Sequence, residues 1–115
     1  VHANNDRDPR RHVAAGQLGA WVEFDGVTKD VDEDVKRLIR MKDHHLLDRV
    51  LLSHDAGWYQ PGKPEKEYKG YCDLFDHLIP ALKENDFTEE EIDQLTVRNP
   101  AEAFAVRVRT NDGQN

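Results

Sequence analysis

The stretch Arg49-Val50-Leu51-Leu52-Ser53-His54-Asp55-Ala56-Gly57 is a short apolar run that ends abruptly in a histidine, an aspartate and a glycine. A continuous apolar run of this length, entered from a charged helix, reads as a parallel strand buried on both faces. Carboxylates at the C-terminal ends of such strands stand where α/β proteins assemble their active sites. Asp55 is therefore the first candidate for chemistry, and proton transfer is what a carboxylate brings to such a place. His54 precedes it and faces the opposite side of the strand, toward the helical layer, which suits a packed or supporting residue better than a ligand. Trp58 and Tyr59 open the loop directly after Asp55; they either line a substrate pocket or pin the loop.

Those residues need a frame. Residues 20–25 (Ala-Trp-Val-Glu-Phe-Asp) read as an earlier strand, rich in aromatic and β-branched side chains and closed by Gly26. Asp25 at its end is either support for a neighbouring site or a solvated strand-end carboxylate. Asp30 and Glu33 resemble a capping box with aspartate in place of serine. Behind them Val31, Val35, Leu38, Ile39 and Leu46 recur at helical spacing. Residues 56–70 form a polar loop punctuated by Gly57, Pro61, Gly62, Pro64 and Gly70, too long to be a mere connector. Leu74, Phe75, Leu78, Ile79 and Leu82 make the apolar face of the next helix, with a kink expected at Pro80. Thr88 and Glu91 form a second capping box ahead of Ile92 and Leu95, and Asn99-Pro100 reads as an N-cap followed by proline at the first helical position.

The order strand, helix, strand, helix and short helices is a βαβ unit with a right-handed crossover. Two strands cannot bury both faces of a parallel sheet or hide its edges. The expectation is a piece of a larger α/β protein, or a chain that pairs with copies of itself.

Composition narrows the function classes. The chain has 115 residues, 37% of them apolar and 34% charged, a lean supply for an independent α/β core. A net charge of -7 argues against nucleic acid and anionic membrane as partners. No apolar stretch reaches transmembrane length. The single cysteine, Cys72, allows no internal disulfide, which fits a reducing, cytoplasmic compartment, and its flanks predict a buried, inert thiol. His44 and His45 fall in the last turn of the first helix, where positive charge meets the helix dipole favourably. His12 and His77 carry no partner pattern and read as ordinary surface or interhelical residues.

Five segments in order carry a resemblance: Val1-His2-Ala3-Asn4-Asn5, Gly19-Ala20-Trp21-Val22-Glu23-Phe24-Asp25-Gly26, Leu52-Ser53-His54-Asp55, Ile79-Pro80-Ala81-Leu82 and Thr96-Val97-Arg98-Asn99-Pro100-Ala101. Together they resemble the phosphotriesterase family, a branch of the amidohydrolase superfamily that includes phosphotriesterase-related proteins and lactonases. The resemblance implies a (β/α)8 TIM barrel of the metal-dependent hydrolase type, of which this chain supplies the C-terminal part as one fragment of a single domain. Val1-His2 then ends strand six, residues 20–25 are strand seven and residues 49–55 strand eight. It further implies two divalent metal ions, zinc being suited to imidazole and carboxylate donors. His2 matches the strand-six histidine on the more exposed metal. Asp55 matches the strand-eight aspartate that binds the buried metal and takes the proton of the bridging hydroxide.

That hydroxide would attack a phosphoester, carboxylic ester or lactone, a small-molecule substrate. Asp25 and His54, read from their strand positions as supporting residues or as a solvated and a packed one, would in the first case stand behind the ligands. In the organophosphate-degrading members a strand-seven histidine and a strand-six-loop aspartate relay protons to the strand-eight aspartate. Gly26 and Asn5 stand at those positions, so efficient phosphotriester hydrolysis is not expected, and lactone or other ester hydrolysis is as well supported. The remaining ligands of such a site come from strands one, four and five, so the chain by itself is expected to be inactive. The resembling enzymes are commonly dimers. The alternative is a non-catalytic, self-associating module derived from a barrel.

Overall fold

The computed structural model describes residues 2–57, 61–62 and 70–108. A 3-10 turn at Ala3–Asn5 leads into helix α1 (Pro9–Gln17), strand β1 (Val22–Phe24), helix α2 (Val31–Asp43), a 3-10 turn at Leu47–Arg49 and strand β2 (Val50–Leu52). Beyond the loop come a π-helical turn at Leu74–Leu78 with α3 (Ile79–Glu84), then α4 (Glu89–Asp93), a second π-helical turn at Gln94–Arg98 and α5 (Asn99–Phe104).

β1 and β2 pair in parallel, Val22 opposite Val50 and Phe24 opposite Leu52. Both strands are shorter than the runs of residues 20–25 and 49–55. The ladder continues past them nonetheless, with Ser53 donating its N–H to Phe24 O at 3.1 Å and Val27 donating to Ser53 O at 3.2 Å. The βαβ unit is as the apolar pattern required. No strand precedes it among the described residues: His2 has φ 56 and caps the Ala3–Asn5 turn instead of ending a strand.

The core gathers Val22, Phe24 and Val50 from the strands, Val35, Leu38 and Met41 from α2, and Leu78, Leu82, Phe87, Ile92 and Leu95 from the later helices. α2 starts where its cap predicts, the Asp30 carboxylate accepting Glu33 N–H at 3.1 Å. The Thr88–Glu91 capping box is complete, both hydrogen bonds being present. Phe75 departs from its expected apolar face and is 60% exposed, because the wider π-helical turn rotates it off the stripe that Leu78 and Leu82 follow.

One helix has no apolar signature in the sequence, and three local expectations change. Helix α1 is not signalled by any long apolar stripe, since its buried positions are His12, Val13 and Gly16. Its start is nonetheless encoded, with Asp8 accepting Arg10 N–H at 3.0 Å and Pro9 at the first helical position. Pro80 and Pro100 each follow a π-helical turn, whose widened coil accommodates a ring that would strike the carbonyl four residues earlier. Asn99 is not an N-cap: it lies within continuing helical backbone, 1% exposed, and its side chain turns to β2. Cys72 is exposed instead of buried, because it lies ahead of the helix, outside the apolar face that begins at Leu74.

Candidate active site

Parallel pairing puts the ends of β1 and β2 side by side, so Asp25 and Asp55 both lie just beyond the same edge of the sheet. Asp25 is 6% exposed. Its carboxylate accepts a hydrogen bond from His2 Nδ1, and its backbone N–H donates to Asn4 Oδ1 at 3.1 Å. The imidazole of His2 is half exposed, and the contact through Nδ1 leaves Nε2 as the ring nitrogen available to another partner.

The Ala3–Asn5 turn is held from behind by His12. Its Nε2–H points at two carbonyl oxygens, Ala3 O at 2.6 Å and Asp6 O at 2.8 Å. The same ring meets the edge of Phe24 with centroids 5.2 Å apart, and it is 6% exposed. His12 is therefore neither a surface residue nor an idle interhelical one. It is the link that joins α1, the end of β1 and the turn carrying His2. Sequence reasoning passed over it because a lone histidine has no partner motif. The available signal was its place on the buried side of a helix started by Asp8-Pro9.

Asp55 is exposed and has φ 47, a left-handed backbone that an aspartate adopts at some cost. His54 is half-buried, and its Nε2 accepts the N–H of Leu74 at 3.0 Å, with Tyr71 against the ring edge. Gly26, where the relay histidine is missing, has φ 58, a conformation suited to glycine. Asn5 is exposed and Asn4, not Asn5, reaches Asp25. His44, His45 and His77 are exposed. Trp58 and Tyr59 lie outside the described residues.

The donors fit a borderline divalent cation in kind: an imidazole whose other nitrogen is fixed by a buried carboxylate, and a carboxylate at the neighbouring strand end. They do not make a complete site. Among the described residues no three His, Cys, Asp or Glu side chains converge to hold a metal. No helix among them is long and apolar enough to cross a membrane.

The chain is similar to known proteins over most of its length. The phosphotriesterase homology protein of Escherichia coli (strain K12) is 32% identical over 91 residues, which are 76% of this chain and 31% of that protein. Its crystal structure, with phosphate in the active site, superimposes with a TM-score of 0.70 at 27% identity, covering 81% of this chain and 33% of that one. Organophosphorus hydrolase from Deinococcus radiodurans superimposes with a TM-score of 0.74 at 30% identity, over 90% of this chain and 36% of that one. The chain thus spans about a third of the length of the relatives it matches. The phosphotriesterase family's sequence pattern matches residues 1–104, and the chain belongs to that family.

Proposed function

We propose that this chain is the C-terminal portion, strands six to eight, of a (β/α)8 barrel hydrolase that cleaves a phosphoester, carboxylic ester or lactone with divalent metals, zinc suiting the donors best. The observation that carries this reading is the pairing of His2 Nδ1 with the buried Asp25 carboxylate. Metal-binding histidines characteristically donate their second ring N–H to a carboxylate, which fixes the tautomer and raises ligand basicity. An exposed histidine with no such task gains little from a buried partner, and Asp25 is otherwise an expensive group to bury.

Metals bound here would acidify a water and polarise the phosphoryl or carbonyl oxygen of the substrate. His2 would hold one through Nε2, oriented by Asp25, while His12 keeps the turn beneath it in place. Asp55 would hold the other and take up the proton that the nucleophile releases. With glycine at position 26 and Asn5 turned to solvent, no side chain at either position relays that proton onward. This favours esters and lactones over phosphotriesters.

A barrel needs about 250 residues, so the test uses the full-length, zinc-loaded protein. It should hydrolyse aryl esters or lactones faster than paraoxon, lose turnover on chelation and regain it with zinc, and lose it in Asp55→Asn. Turnover indifferent to chelators and to Asp55→Asn contradicts the reading.

A further inference from the structure

We infer that His54 is a positioning residue: it clasps the start of the helix at Leu74 to the end of β2 and so fixes the backbone from which Asp55 projects. The inference rests on the reading of Asp55 as a metal ligand.

The amides at a helix start have no acceptor within the helix. At Leu74–Leu78 the residue in the capping place, Asp73, accepts nothing from the first turn with its side chain. Cys72 O takes the N–H groups of Phe75 and Asp76, at 2.9 and 3.0 Å. The Leu74 N–H goes instead to His54 Nε2, at 3.0 Å and 20 residues back along the chain. A backbone amide only donates, so Nε2 carries no hydrogen and the ring is the Nδ1–H tautomer. The imidazole thus acts as a helix cap supplied from a strand end.

Two further contacts close the same junction. Tyr71 donates its hydroxyl to Ala56 O at 3.2 Å while its ring stands edge-on to His54, centroids 6.5 Å apart. Gly57, at φ 80, makes this approach possible: a Cβ there would lie 1.8 Å from the tyrosine hydroxyl. Thr28 donates to the Asp73 carboxylate at 3.4 Å, tying the helix entrance to the loop that follows β1.

Asp55 sits in the middle of these attachments. Ser53 before it is fixed by two ladder hydrogen bonds, His54 by Leu74, and Ala56 after it by Tyr71. Its left-handed backbone is the kind of strained conformation that persists only where neighbours over-determine it. Removing an attachment lets Asp55 relax and withdraws its carboxylate from a fixed position.

The test compares His54→Phe, which fills the space without an acceptor, with His54→Gln, whose amide oxygen can take the place of Nε2. Both are made in the full-length protein, and zinc affinity is read by chelator competition, with Asp55→Asn as reference. Lost support behind a ligand typically weakens a metal about 10-fold or more. His54→Phe should show that loss at an unchanged melting temperature, and His54→Gln should restore wild-type affinity. Long-range proton–nitrogen NMR on the wild type should find His54 Nε2 unprotonated.

Wild-type affinity in His54→Phe, with loss in Asp55→Asn, overturns the clasp and leaves the site standing. Wild-type affinity in Asp55→Asn overturns both. If His54→Phe does not fold, Tyr71→Phe removes the second attachment: weakened zinc binding supports the clasp, and wild-type affinity there overturns it.

Discussion

The side-chain amide of Asn99 on α5 donates to Val50 O on β2 at 2.7 Å and to Leu47 O at 2.6 Å, joining the last helix to the strand that delivers Asp55. Gln94 completes its hydrogen bonding by donating to Asn99 Oδ1. One buried side chain thereby satisfies two carbonyls at the point where the 3-10 turn passes into β2. Asn99→Ala should take this donor from Val50 O and leave Leu47 O with only the Val50 N–H, and cost about 1–3 kcal/mol. Chemical denaturation of wild type and variant measures this, and a cost under about 0.5 kcal/mol would show the contacts to be dispensable.

His12 should matter to the proposed metal site as well as to stability. His12→Ala removes the donor shared by Ala3 O and Asp6 O and the edge contact to Phe24. A loss of about 1–3 kcal/mol is expected, since Asp6 O loses this donor and Ala3 O keeps only the Asp6 N–H. Zinc affinity should fall with it, because the turn holding His2 is released. Calorimetric titration of the variant, compared with an exposed-site control such as His77→Ala, separates this from a general weakening.

Asp34 makes stability depend on pH in an unusual direction. Burial, the largest influence, raises its pKa above 3.8, although Thr28 N–H at 2.7 Å and Arg37 at 3.2 Å pull the other way. Between the ordinary carboxylate value and the raised one, the folded protein holds a proton that the unfolded chain has lost. The contribution of Asp34 is therefore fully present below about pH 3.8 and is lost as pH rises through its folded pKa. Asp34→Asn does not titrate. Melting curves at several pH values should show the variant gaining on wild type as pH rises through that window; a constant difference would contradict the assignment.

The capping box at Thr88 predicts a modest and local effect. Thr88→Ala removes the acceptor of Glu91 N–H, 3.1 Å away, and should cost about 1 kcal/mol. Thr88→Ser keeps the hydroxyl and should stay close to wild type in the same denaturation experiment.

Much of this architecture is legible in the sequence where one rule acts without competition. The apolar runs around Phe24 and Leu52 specify buried parallel strands, and Val35 and Leu38 specify the face of α2. Thr88 and Glu91 are three residues apart in the chain, so their box is a local matter. What escapes is non-local or polar. α1 buries a histidine and a glycine, so it shows no apolar stripe. Asn99 before proline has the local signature of a cap, but two carbonyls 49 and 52 residues away claim its amide. Asp25 is legible as a strand-end residue and His2 only through the family resemblance, whereas their contact depends on a turn that His12 sets from a helix no pattern announced.

On the proposed reading His2 and Asp55 each hold a metal, with Asp25 behind the histidine. Anomalous diffraction at the zinc edge from crystals of the full-length, zinc-loaded protein tests it most directly. Two anomalous peaks are expected at the C-terminal end of the strands, one bonded to His2 Nε2 and one to the Asp55 carboxylate. Peaks that lie elsewhere, with His2 and Asp55 coordinating neither, would contradict it.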